Sequence, residues 1–490
     1  MKLQRKWGRI LALFLAFAML AAACSETEDA VDDAAEAVEE AVDGDDMSED
    51  DMADYGGDAN GDGVLQVAIM GECEGPFGGF HEAVVGGATL PLIRYAGATS
   101  NSATSALEGF SGAEVAGTAI EFVGVGCGDD TGPRALEEIR QLVEQDGAEV
   151  VLGPLSGDES VVISDYALGN PDVIVINGTA GAQSSTLKTG AENYFRYNGD
   201  GAQWNAGIGE ILAGEWETAA VIADDYSFGH TSAAGFIAEF CAAGGDVVSR
   251  VFPPLNGADY GAFIAQLPDP DEVDGYFWAV GGDTVAALQA FENSKGDLSG
   301  AQHAGNLFFG PGLSASISGD LDGAYFGGFT TLPGDIAIPA VDEMNAAADA
   351  AWTSLDDGAP SAATGNGFGY SFYLAGLALV QAMEATGGDI SGEALRGALA
   401  GLTLEAPYGD VTLDENRQAI IDVAVSQLFV NDAGELDART VSIVPGVEQS
   451  FGGTFTADTP DPGQNDPACE ERDLPWFGNA IPVVDGVLQN

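Results

Sequence analysis

Residues 149 to 185 read EVVLGPLSGDESVVISDYALGNPDVIVINGTAGAQSS. Two short apolar runs, Glu149 to Leu152 and Asp172 to Ile176, stop abruptly in small turn-forming residues, as buried parallel strands do. After the first, Gly153-Pro154-Leu155-Ser156-Gly157-Asp158 turns the chain into a helix. Ser156 or Asp158 serves as its N-cap, and Val161, Val162, Asp165 and Leu168 give it two faces before Gly169-Asn170-Pro171 ends it. After the second strand, Asn177-Gly178-Thr179-Ala180-Gly181 forms another small-residue loop leading to Ser184 and Ser185. In an open α/β sheet such loops lie side by side at the carboxyl ends of neighbouring strands, where ligands bind. Their backbone donors suit a carboxylate or similar anion; the plainer alternative is a pair of ordinary strand-to-helix loops.

The chain has 490 residues, more than one core accommodates, so two domains with tails are expected. Its 15 basic and 78 acidic residues give a net charge of -63, which disfavours nucleic acid and anionic lipid as partners. Such acidity suits either a cationic ligand or a solvated, salt-tolerant surface, and its spread over the whole chain favours the surface.

At the start, Lys2, Arg5, Lys6 and Arg9 precede an apolar run from Ile10 to Ala23, which reads as a signal-peptide core. Leu20-Ala21-Ala22-Ala23-Cys24-Ser25 resembles a bacterial lipobox with its leucine displaced by one position. That resemblance implies cleavage before Cys24 and lipidation of that cysteine; an ordinary cleaved secretory signal is the alternative. From Ser25 to Asp62 the sequence is acidic and small, and reads as a disordered, extended stalk. Within it Asp58-Ala59-Asn60-Gly61-Asp62-Gly63 matches half of a calcium loop. The acid needed at the twelfth position is Ile69, so no metal site is assigned.

The folded body then alternates. Val64 to Met70 is a strand, and Gly71 to Phe80, including Glu74, Phe77 and Phe80, is its exit loop. Ala83 to Tyr95 reads as a crossover helix kinked at Pro91. Strand Ala119 to Val125 ends in a loop that fails the dinucleotide fingerprint at Asp129. Asp130 or Thr131 caps a helix carrying Leu136, Ile139 and Leu142 on one face. This order argues for a doubly wound parallel α/β sheet. A second set follows Tyr197, with strands at Ala219 to Ala223, Asp246 to Phe252, Asp274 to Val280 and Ala304 to Phe309. Helical segments at Val341 to Trp352, Tyr370 to Ala385 and Gly392 to Leu402 return to the first lobe. Strands near Tyr408 to Leu413 and Ala424 to Val430 carry the last crossing.

With Cys24 lipidated, Cys73, Cys127, Cys241 and Cys469 remain, an even number in an exported chain. Cys73 and Cys127 lie just past adjacent strands and are natural partners, which leaves Cys241 for Cys469, though four cysteines allow three pairings. No nucleophile elbow, zinc-binding HExxH, CxxC or phosphate loop is present. His81, His230 and His303 are scattered and read as ordinary histidines. Phe368, Tyr370, Phe372 and Tyr373 read as helix core.

The chain resembles solute-binding proteins of the branched-chain amino acid and amide ABC-importer class, with the type I periplasmic-binding fold. The resemblance runs over about Val64 to Val444 and rests on GPF at Gly75, DDTGPRALEEIRQLV from Asp129, VLGPLSG from Val151, VIVINGTA from Val173 and FFGP from Phe308. It implies two lobes joined by three crossings: 64–197 with 331–410, and 198–330 with 411–447. Residues 1–23 and 24–63 form the signal peptide and stalk, and 448–490 a C-terminal tail. By the same resemblance Ser156, Gly157, Gly178, Thr179 and Ala180 meet a ligand carboxylate, and Phe77, Phe80 and Phe228 wall the site. The family's acid for a ligand ammonium is replaced by Gly312, so Asp225, Asp283 or Glu74 takes its place or the ligand lacks an α-ammonium. The implied partners are a small amino-acid-like, amide or carboxylate ligand and a membrane permease, for a monomer anchored outside the cytoplasm, with no cofactor. Two other functions remain: a sensory module reporting to a membrane receptor, and an extracytoplasmic hydrolase.

Overall fold

The computed structural model describes residues 61–255, 259–309, 319–328 and 336–489. The signal peptide, Cys24, the stalk up to residue 60 and Gly312 lie outside the described residues.

The first sheet comprises β1 (Val64–Glu72), β2 (Ala113–Val115), β3 (Thr118–Gly128), β4 (Val150–Leu152), β5 (Ile174–Ile176) and β6 (Tyr194–Phe195). Its order is β2-β3-β1-β4-β5-β6, and every pair except the β2–β3 hairpin is parallel. Successive side chains point to opposite faces. Val67, Ile69, Val150, Leu152, Ile174 and Ile176 join one core with α1 (His81–Tyr95), while Ala68, Met70, Val151 and Val175 join another with α2 (Gly132–Arg140) and α3 (Gly157–Gly169). Burial on both faces is why these strands read as unbroken apolar runs.

The second sheet uses the same winding. β7 (Thr218–Ala223), β8 (Asp246–Val251), β9 (Gly275–Ala279), β10 (His303–Gly305) and β11 (Tyr325–Phe326) run β8-β7-β9-β10-β11, all parallel. α4 (Ser227–Ala242) covers one face, where Phe236 stacks on Phe277 at 4.1 Å; α5 (Thr284–Lys295) covers the other through Leu288 and Phe291. The sheet continues antiparallel through β12 (Ala419–Val430), β13 (Leu436–Val447), β14 (Ile481–Val484) and β15 (Val487–Leu488).

Three expectations change. The strand expected over Ala304 to Phe309 ends at Gly305, because Asn306 turns the chain by accepting from Phe308 N through its side chain and from Phe309 N through its carbonyl. Around Tyr408 to Leu413 only Thr412–Leu413 is a strand. The segment after 448, expected as a tail pinned through Cys469, also adds strands to the second sheet. Cys241 is joined to Cys469, Trp476 donates to Glu239 at 2.6 Å, and Arg472 donates to Thr454 at 2.8 Å. The same segment reaches the first lobe, where Lys188 Nζ meets the Thr459 carbonyl at 2.6 Å and Asp461 at 2.9 Å.

α6 (Pro339–Ala351), α7 (Gly367–Thr386) and α8 (Gly392–Gly401) follow the second crossing. α7 packs against α1, which continues through Pro91 to Tyr95, at a contact only glycine permits: a Cβ on Gly87 would stand 2.0 Å from the Gly369 carbonyl oxygen. The crossings themselves meet at Arg196, which is fully buried. Its guanidinium donates to Gln418 Oε1, to the Ala180 and Ala182 carbonyls at 3.0 and 2.8 Å, and to Thr186 at 2.8 Å. The backbones of Arg196 and Gln418 form a parallel bridge, so the first and third crossings are laid side by side.

Gly87→Val should lower unfolding stability by about 2 kcal/mol or more, since α1 and α7 must part to admit the side chain; a denaturant midpoint unchanged from wild type would contradict this contact. Replacing Cys241 and Cys469 with serine opens a loop of 228 residues. It should cost on the order of 3–5 kcal/mol and raise amide exchange over residues 459–488.

Candidate functional site

Leaving aside the hairpin strand, both sheets have the order second-first-third-fourth-fifth, which places a switch point beside the first strand of each. Loops from the carboxyl ends of β1, β4 and β5 in one lobe face loops from β7 and β10 in the other. Between them lies a narrow cleft.

Its first-lobe wall includes Phe77, Ser156, Gly157 and Thr179, with Phe368 added from the start of α7. The second-lobe wall is Tyr226, Phe228, Leu307 and Phe308. The rings touch across the cleft: Phe77 stacks with Phe308 at 5.8 Å, and Phe308 meets Phe368 at 5.8 Å. Phe228 meets Phe308 edge-on at 6.0 Å. Close approach is built in at Gly157, where a Cβ would lie 2.6 Å from Ser227 Oγ. Next to it Asp158 accepts from Ser227 N at 3.0 Å, so a carboxylate of one lobe caps the helix of the other.

Of the residues singled out from sequence, Ser156, Gly157, Thr179, Phe77 and Phe228 line the cleft. Phe80 stands behind, stacked on Phe368 at 4.2 Å. Gly178 sits on the Phe372 ring, where a Cβ would be 2.2 Å away, and the Ala180 carbonyl is held by Arg196. Glu74, Asp225 and Asp283 are exposed and outside the cleft lining. Asp225 pairs with His230 at 2.9 Å, and Asp283 caps α5 through Ala286 N at 2.9 Å. His303 is buried in the second core, between Trp278 Nε1 and the Leu298 carbonyl, and burial lowers its pKa to about 4. Cys73 is joined to Cys127 at the rim.

Sequence reasoning missed Tyr226, Phe308, Phe368, Leu307 and Trp204, and also a group of buried acids behind Ser156. Glu72, the last residue of β1, accepts from Ser156 N at 2.6 Å. Glu159 on α3 accepts from Asp129 N and Asp130 N, each at 3.1 Å. Asp130, held at φ 67°, accepts from Phe77 N at 3.4 Å. Burial is the main cause that raises all three carboxyls: Glu72 goes well above its usual range, with the Glu159 charge adding to it, and Asp130 rises to about 7. Tyr226 faces the same field; burial and then the charge of Asp224, Asp130, Asp158 and Glu72 raise its hydroxyl. The backbone donors expected to hold an anion are already used: Thr179 N and Ala180 N both donate to the Pro154 carbonyl, at 3.2 and 3.3 Å.

The sequence matches the family described as periplasmic binding protein over residues 66–435. No curated protein sequence matches the chain. Among solved structures, a solute-binding protein of an ABC transporter from Rhodopseudomonas palustris, in complex with 3,4-dihydroxybenzoic acid, is similar at TM-score 0.64 and 19% identity, covering 79% of this chain and 99% of that one. An ABC transporter substrate-binding protein from Sphaerobacter thermophilus gives TM-score 0.63 at 20% identity, over 79% of this chain and 99% of the other. A leucine-binding protein from Thermotoga maritima gives 0.59 at 18%, over 78% and 99%. At these identities the likeness is one of fold, and it is the family match over most of the folded body, with two like-wound lobes facing across a cleft, that establishes the chain as a member of the periplasmic binding protein family.

Proposed function

We propose that the chain is the extracytoplasmic solute receptor of an ABC importer, anchored to the membrane through lipidated Cys24, which captures a small ligand between its lobes and delivers it to a permease. The observation that carries this reading is the shared aromatic wall. Phe77 and Phe368 from one lobe and Phe228 and Phe308 from the other enclose one space, so occupying it and closing the lobes are a single event. The similar structures include proteins bound to 4-hydroxybenzoate and to benzoate, which supports a small solute here as well. The lining offers apolar faces and few polar groups, a surface suited to capture, and we read the protein as a monomeric binder and not an enzyme.

A thermal-shift panel of amino acids, amides, urea, amines and short or aromatic carboxylates tests this. A ligand at a hundredfold its Kd should add about 2.7 kcal/mol of stability. Phe228→Leu should weaken that ligand about tenfold while the ligand-free protein melts close to wild type, because the apolar volume stays and the ring is lost. No stabilisation by any compound in the panel would remove the basis for the receptor role.

A further inference from the structure

The cleft has an unusual electrostatic layout for a family whose similar structures include carboxylate complexes. Among the described residues, no Lys, Arg or His lines it. The Ser156 amide, which a ligand carboxylate would need, is already taken by Glu72 Oε1, an internal carboxylate. An anion placed against Ser156 would also stand next to three buried carboxyls. It would hold these carboxyls protonated, because two like charges in a poorly solvated space repel strongly.

The same groups lack something positive. Glu72 Oε2, Asp130 Oδ1 and Glu159 Oε2 are buried with nothing to balance them but protons shared inside the cluster, where Glu72 and Glu159 face each other and Asp130 faces Ser156, and no cationic side chain among the described residues pairs with them. Ser156 carries the cluster to the cleft: its hydroxyl faces only the Asp130 carboxyl, on a residue only 1% exposed that belongs to the cleft wall. The one buried cation behind the opposite loop, Arg196, gives its hydrogen bonds to protein groups. Of the wall rings, Phe77 belongs to a residue whose amide donates to Asp130, and Tyr226 lies in the field of Asp130 and Glu72; aromatic faces attract cations by about 2 kcal/mol when water is excluded.

Resting on the receptor reading above, we propose that the ligand is a small organic cation of the alkyl- or quaternary-ammonium class, its positive group seated on the rings of Phe77, Tyr226 and Phe308, in the field of Glu72, Asp130 and Glu159. Apo protein holds protons on this cluster, since Asp130 is raised to about 7 by burial and Glu72 and Glu159 are raised with it. An arriving cation favours the ionised carboxyls, so protons leave as it binds.

Calorimetry on the full-length chain decides it, with choline, its uncharged isostere 3,3-dimethylbutan-1-ol, leucine and benzoate as probes. Choline should bind at least a hundredfold more tightly than the isostere. At pH 6.5 its heat should differ between buffers of unlike ionisation enthalpy in the sense of proton release. Glu72→Gln, which keeps an acceptor for Ser156 N, should weaken choline at least tenfold and leave the isostere within twofold. Asp130→Asn, tolerated at a positive φ, gives the same comparison should Glu72→Gln fold poorly. Equal affinities for choline and the isostere, or binding of leucine or benzoate alone, would overturn the cationic assignment and leave the receptor role standing. Silence from all four probes would overturn the assignment, and the broader panel then decides the receptor role separately.

Discussion

A buried guanidinium holds the two lobes in register. Arg196 leaves the first sheet at the first crossing and is completely enclosed, a costly position for a charge unless every donor is satisfied. Its donors are met from both sides: the loop Ala180 to Thr186 of one lobe and Gln418 of the third crossing. Gln418 in turn donates to the Asn198 carbonyl and to Gln203, and Gln203 donates to the Ala419 and Val447 carbonyls. Burial lowers the Arg196 pKa, and the leading charge that restores it is Asp200. The loop that walls the cleft is thus fixed by the same side chain that joins the crossings. Any movement at the hinge is felt at Thr179 and Gly181, two residues from the guanidinium's carbonyl partners or closer.

Much of this architecture was legible. The runs at Val64, Glu149 and Asp172 reveal themselves because strands buried on both faces have no polar alternation, and each is followed within two residues by a glycine. The later strands were harder for a physical reason. β13 alternates, with Leu436, Ala438 and Thr440 inward and Asp437 and Arg439 outward, and so resembles surface sequence. The cleft divides in the same way. Ser156, Gly157 and Thr179 sit on loops that follow directly from strands, and their place is fixed by local sequence. Phe368 belongs to the start of a helix that is core for most of its length, and only the packing of α7 on α1 brings it to the ligand space. Trp204 reaches the lining from a turn after the first crossing. Glu72 reads as part of the exit loop after Met70; it is instead the last residue of β1, and its meaning depends on Asp130 and Glu159 being delivered by two other elements.

Asp158 and the aromatic wall show two different ways of coupling the lobes. The rings exclude water without direction, whereas the Asp158 bond to Ser227 N aligns α4 with α3 and so sets the angle at which the walls meet. Directional and non-directional contacts together allow one closed arrangement while leaving the chemistry of the ligand to the groups behind the wall.

The C-terminal segment adds a connection of another kind. It is covalently fixed to the second lobe at Cys469 and held to the first at Asp461 by Lys188. Eight steps along the chain separate those two points, a reach of about 29 Å at most. While Lys188 keeps its hold, the mouth of the cleft has a leash of that length. Both partners are partly in water, with side-chain exposures of 25% and 66%, so ionic strength weakens the grip. The lobes are thus tied twice along one segment, once by a covalent bond that salt does not touch and once by an ion pair that salt screens.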